Sequence, residues 1–360
     1  MQSFLPNHKP FRRILSLLPL WVVLLFFSTS CDETIQKPTV SKSKGIFILN
    51  QGNFSWSNAS LSLYHPDSMT VQNNVFYLTN DAPLGDVAQS MSILGNKVFI
   101  VLNASHKIYV MDAESFTYVG KITSLNSPRY LTIVNDTLGF VSDLYATSLQ
   151  MINPTTFDLT GEIDLGHSSE QMLLRDSFLY VLAWSYDSLL FKINVNTQEI
   201  TDSLVVGFQP NSMVMDKNKQ LWILSDGGYE GIPGGQKHPK LVCVNPDSMQ
   251  IHKDLIFPDR SDSPIQLQIN SSGETLYFLN KHAYRLPITA VSLPDEPFLD
   301  ANGRNFYSLG INPLNEEIYL GDALGYVQPG VVYRYSTEGM PIDSFTTGII
   351  PGAIYFDYQP

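Results

Sequence analysis

The chain is poor in cysteine, in basic residues and in long apolar runs, and each shortage removes a class of protein. Two cysteines in 360 residues, Cys31 and Cys243, exclude a disulfide-stapled scaffold and every C-x-x-C metal or redox motif. Lysine and arginine number 22 against 34 acidic residues, a formal charge of −12. Lys9, Arg12 and Arg13 all fall in the first thirty residues, so the remainder stands lower by three, at −15. A surface that acidic repels phosphate backbones, which excludes a nucleic-acid partner. The longest apolar run, Ile14 to Phe27, is short for a membrane span and is interrupted by Pro19. No G-x-S-x-G elbow, H-E-x-x-H helix or G-x-x-x-x-G-K-[ST] cradle occurs, and these absences argue against an enzyme. Hydrophobic residues make up 44%, enough to bury one large core.

The first segment reads as an address. "HKPFRRILSLLPLWVVLLFFSTSC" has a basic start, an apolar middle and small residues (Ser28, Thr29, Ser30) before Cys31. It resembles a bacterial lipoprotein signal, with Ser28 where Leu or Val is usual. The resemblance implies a signal peptide over 1–30, a lipid on Cys31, and a flexible linker over 31–44. Asp32 and Glu33 follow at once, similar to the acidic surface-export signals of Bacteroidetes lipoproteins, which implies a surface-exposed place on the outer membrane. Cys243, inside "KLVCVN", reads as a buried small hydrophobe.

From Gly45 onward the sequence repeats. A short apolar strand with an aromatic recurs as "GIFILN", "KVFIVLN", "LGFVSD", "FLYVLAW", "LWILSD", "LYFLN" and "IYLGD". Its aromatics are Phe47, Phe99, Phe140, Tyr180, Trp222, Tyr277 and Tyr319, about 40 to 55 residues apart, near a propeller-blade period. An alternating segment ending in a turn follows each, as in "LQMINPTTF" and "KLVCVNPDSM". A third segment precedes each, as in "YLTIVND" and "SMVMDKN". The first copy lacks its leading segment, and "AIYFDYQ" stands unpaired at the C-terminus. A ring accounts for both ends. The expectation is therefore an all-β, seven-bladed β-propeller over 45–360, closed by pairing of the C-terminal strand with the N-terminal blade, with about 28 strands.

The repeat of aromatic strand, loop, "I-x-V-x-[DN]-x-x-[ST]" and Pro before the next inner strand resembles the YncE-like seven-bladed propellers. With the lipoprotein signal, the acidic residues after Cys31 and "DGGYEG", it also resembles the surface lipoproteins that capture corrinoids beside a TonB-dependent vitamin B12 transporter (the BtuG type). That likeness implies capture of a corrinoid as ligand and its transfer to the transporter; the absent motifs add the expectation of no intrinsic cofactor, no dedicated metal site and no catalysis.

In such a blade the loop after the aromatic strand and the connection into the next inner strand open on one face. The loops offer Trp56 (with Phe54), Asn103, His106, Tyr145, Trp184, Tyr186, Tyr229, Glu230, His282, Tyr284 and Tyr326; the connections offer Arg129, Glu170 and Asn211, beside Gln89, Tyr130, Gln266 and Tyr307. Aromatics recurring on one rim suit a shallow bowl for a large amphipathic ligand, with Asn, Gln and Arg for its polar edge. Any one of them could instead pack between blades. A glycan or another metallophore would use the same groups, and a propeller lyase or lactonase is the enzymatic alternative. Asp143, Asp226 and Asp322 share one repeat position with Asn50, Asn103 and Asn280, where such residues usually bond neighbouring backbone amides. His106, His167, His238 and His282 fall in rim segments without a metal-ligand spacing, although a single imidazole could reach a corrinoid cobalt. The glycines from Gly227 to Gly235 lead into another apolar strand, "KLVCVN", so they read as a binding loop with Tyr229 and Glu230 at its tip rather than a phosphate cradle.

Overall fold

The structure, a computed structural model, describes residues 45–356; the signal segment, Cys31 and the linker lie outside the described residues. Twenty-seven strands form seven antiparallel sheets, each built from consecutive strands except the first. In that blade the C-terminal strand Pro351–Phe356 is innermost and pairs antiparallel with Ile46–Asn50, followed by Ser60–His65 and Thr70–Gln72. The expected closure is present.

The second strand of each blade shows why this sequence makes blades. In "KVFIVL", Val98, Ile100 and Leu102 face the first blade while Phe99 and Val101 face the third. Both sides of the sheet are covered, so the strand reads as a continuous apolar run rather than an alternating one. The seven repeat aromatics each enter the packing against the next blade, and seven apolar clusters fill the seven interfaces around the ring. Trp222 is fully buried, and its indole N–H donates to Asp216 Oδ2 at 3.0 Å. Cys243 is buried in the interface between the fifth and sixth blades, as expected.

The turns joining third to fourth strands repeat one device. Asp112, Asn153, Asn194 and Asn245 each accept the backbone N–H groups two and three residues on. A residue with positive φ, such as Phe116, Phe157, Gln198 or Met249, ends each turn.

Two elements depart from the repeat. The sixth blade has three strands, Ile265–Ile269, Thr275–Asn280 and His282–Pro287, instead of the four expected. Beyond them a single bridge, Ala283 with Leu299, takes the place of the outer strand. Pro287, Pro294 and Pro297 withhold the donors a fourth strand would need. A six-residue helix, Val75–Asn80, stands between the first and second blades and buries Val75 and Phe76.

Candidate functional site

The innermost strands surround a cavity of about 780 Å³ on the ring axis, lined from all seven blades. A backbone irregularity gives this lining its polarity. Where each innermost strand begins, its pairing with the second strand slips by a residue or two. The slip falls at Gly352, Gln89, Arg129–Tyr130, Asn211, Gln266–Leu267 and Tyr307. The fourth blade does the same: Glu170 N–H donates to Leu182 O while Leu182 N–H donates to Gln171 O. A bulge turns side chains out of the pleat and re-aims them, and every bulged residue named here lines the cavity.

Arg129 organises one side. Its Nε and Nη2 donate to the two oxygens of Glu170, both at 2.7 Å, and Nη1 donates to Gln89 Oε1 at 2.7 Å. The guanidinium lies 5.7 Å from the ring centroid of Trp184. Burial works against the Arg129 charge, yet the Glu170 carboxylate outweighs it and holds the group protonated. Burial pushes Tyr130 and Tyr307 above the ordinary phenol range. Tyr307 OH donates to Gln51 Oε1 at 2.9 Å. Beside Arg129, Trp184 Nε1 donates to Asp226 Oδ2 at 3.1 Å and Gly228 N–H donates to Asp226 Oδ1 at 2.8 Å. Burial raises the Asp226 carboxyl against those hydrogen bonds. Leu309, Ile311, Pro313, Ile354 and Phe356 make the further part of the cavity apolar.

Antiparallel alternation puts the loop after each second strand on the face where the innermost strands begin. Phe54, Trp56, Tyr145, Tyr186, Tyr229 and Tyr326 are exposed there, Trp56 at 76% and Tyr145 at 73%. The loops approach one another: the Tyr186 hydroxyl lies near that of Tyr229 and raises it above the ordinary phenol value. Asn53 Nδ2 donates to Tyr326 O at 2.6 Å, and Tyr326 packs edge-on to Tyr307 at 6.0 Å. All five glycines of the long loop, Gly227, Gly228, Gly231, Gly234 and Gly235, have positive φ, and the loop enters the strand Lys240–Asn245 with no helix between. Glu230 is exposed in that loop.

Of the residues expected at the site, Arg129, Glu170, Trp184 and Asn211 converge on the cavity; Trp56, Tyr145, Tyr186, Tyr229, Glu230 and Tyr326 stand on the rim. The others have local work. Asn103 is buried and its amide donates to Ser127 Oγ and Pro128 O. His106 bonds Asn126 O through Nδ1. His282 and Tyr284, expected in a rim loop, lie on a strand, because Asn280 and His282 pair directly around Lys281 in a tight turn. His282 accepts Ala301 N–H at 3.0 Å, and Tyr284 stacks on Phe278 at 5.3 Å in the interface with the fifth blade. His167 and His238 are likewise held through Nδ1, by Asp187 and by Phe257 O. Asp143 and Asp322 accept loop backbone amides. Asp226 does this too, but it also lines the cavity, which its repeat position did not indicate. Gln171, beside Glu170 at its bulged strand start, also lines the cavity and carried no sequence signal of its own. Among the described residues no group of three or more His, Cys, Asp or Glu is placed to hold a metal ion.

The fold and this site define a seven-bladed propeller with an amide-rich axial cavity beneath an aromatic rim. Residues 44–348 match the family described as "Domain of unknown function (DUF5074)", and the chain belongs to that family. No curated protein matches it. Among solved structures it is similar to a quinonprotein alcohol dehydrogenase-like protein from Bacteroides thetaiotaomicron, at 15% identity and TM-score 0.67 over 89% of this chain and 79% of that one. It is also similar to hydrazine synthase from Kuenenia stuttgartiensis (12%, TM-score 0.57, 72% and 86%) and to a streptogramin B lyase (11%, TM-score 0.57, 83% and 87%). At these identities the likeness is one of fold.

Proposed function

We propose that this protein is a surface-anchored capture protein for a large amphipathic ligand of the corrinoid class, which it passes to a TonB-dependent outer-membrane transporter. The observation that carries the reading is the pairing of exposed aromatics on one face with the amide-lined cavity beneath them. Aromatic faces cover an apolar plane, while Gln89, Gln171, Asn211 and Gln266 answer a periphery of amides. A corrin with its side chains exceeds the cavity, so it lies across the mouth and sends one substituent down the axis. The YncE-like and BtuG-type resemblance, the lipoprotein signal ending at Cys31 and the acidic residues after it support anchoring and transfer at the outer membrane surface.

Binding is favoured over turnover because the titratable groups of the cavity are engaged. Arg129 and Glu170 neutralise each other, and Tyr130 and Tyr307 are held protonated by burial. Asp226 supports the second reading, a propeller lyase: a desolvated carboxyl at a cavity wall has the character of a general base. Gel filtration after incubation with cyanocobalamin separates the two. A coloured complex co-eluting with the protein is the expected result. Colour eluting entirely as free ligand, with cleavage of a cyclic ester, reverses the order, and retention of a glycan alone replaces the ligand class.

A further inference from the structure

The polar end of the cavity offers a ligand almost no unspent charge. Arg129 is the cation among the residues that line it, and its side edge is filled by both oxygens of Glu170. Gln89 takes a further N–H, and Trp184 lies toward the guanidinium face. The second carboxylate, Asp226, accepts from Trp184 and from Gly228 N–H. Unspent polar groups are left mainly on neutral amides: Gln266, and the Nε2 of Gln171 (its Oε1 accepts Met213 N–H), both of which reach the cavity from bulged strand starts.

Building on the capture reading, we propose that the axial cavity selects an uncharged carboxamide-bearing group and rejects the corresponding carboxylate. Glu170 sets this selectivity by occupying the guanidinium that an anion would seek. A carboxylate entering the cavity gives up its hydration, meets no free cation, and faces Glu170 and Asp226 where screening is weak. A carboxamide both donates and accepts, as the lining amides do.

The test uses the folded chain beginning after Cys31, with propionamide and propionate as probes and the indole N–H resonance of Trp184 as readout. Wild type should bind propionamide tighter than propionate by about tenfold or more. In Glu170→Gln the freed Arg129 should take propionate, and the preference should reverse. If that variant does not fold, the wild-type comparison decides alone. Equal or stronger binding of propionate by wild type overturns the proposal, as does a Trp184 resonance that neither probe moves. A parallel comparison of cyanocobalamin with its monocarboxylic acids keeps the two readings apart. Failure of every corrinoid to bind, with the propionamide preference intact, defeats the corrinoid reading and leaves the charge selection standing. Weaker binding of at least one monocarboxylic acid supports both.

Discussion

Trp184 joins the two halves of the site, because its indole N–H reaches Asp226 on the cavity wall while its ring lies toward Arg129. Truncating it removes a stacking surface and leaves Asp226 short of a donor. Trp184→Ala and Tyr229→Ala should each weaken corrinoid binding by about 1–3 kcal/mol without altering circular dichroism, measured by titration calorimetry. Asp226 makes a prediction about pH. Its folded value is raised above the ordinary 3.8, so the folded protein holds this proton more tightly than the unfolded chain does. The ionised carboxyl therefore costs stability at neutral pH; the cost fades as pH falls through the folded value and is gone below 3.8. Asp226→Asn loses the charge and one of the two acceptor oxygens that Trp184 and Gly228 use; only the loss of charge carries a pH dependence. The melting temperature of the variant relative to wild type should therefore stand higher at neutral pH than in acid; a relative stability that rises on acidification contradicts this. The buried Cys243 thiol is pushed up to about 11, first by burial and then by Asp216. With Cys31 replaced by Ser, thiol reagents at pH near 8 should label the chain only after denaturation.

At the scale of elements, the second strands were legible residue by residue. Phe99, Tyr180 and Trp222 sit in runs apolar on both sides, and burial on both faces of a sheet demands that composition. The bulges were not legible, since they depend on which backbone N–H meets which carbonyl rather than on side-chain type. Hence Gln171 and Gly352 went unmarked, while Arg129, Glu170 and Asn211 were expected only as polar residues in the connections into the inner strands. His282 and Tyr284 show the reverse error: a tight turn around Lys281 removed the loop they were expected to occupy. The glycine-rich loop was readable because only glycine adopts repeated positive φ cheaply. Gly228 has φ +72°, and a Cβ there would come within 2.5 Å of Ile232 and 2.9 Å of Phe208. Gly228→Ala should destabilise the protein by about 1–2 kcal/mol and lower ligand affinity, read by urea unfolding and calorimetry.

Across the whole molecule, the joint between the last and first blades carries the ring. Pro351–Phe356 lies between two partners, pairing with Ile46–Asn50 in its own blade and packing on the seventh, where Ser308 Oγ donates to Pro351 O at 2.7 Å. Tyr355 OH accepts Met91 N–H at 2.8 Å, which ties the second blade to the same strand. Around the joint Tyr64 stacks on Phe345 at 3.9 Å, and Arg334 grips Glu317 through two bonds of 2.8 and 2.9 Å. Truncation before Pro351 removes one wall of the cavity and exposes the edge of Ile46–Asn50 together with the core behind it. The shortened chain should lose cooperative melting and elute as aggregate on gel filtration; a truncated chain that melts as wild type and still binds ligand contradicts the closed-ring account.

The sequence alone determined the number of blades, the interface aromatic in each, the surplus strand that closes the ring, and the rim loops apart from that of the sixth blade, because all of these follow from local composition that recurs from blade to blade. Only the tertiary structure decided which polar residues meet. Arg129 and Glu170 are 41 positions apart, and Trp184 meets Asp226 across 42. Such pairs form where bulged strand starts and loops from different blades converge on one axis, and closure of the ring is what creates that axis.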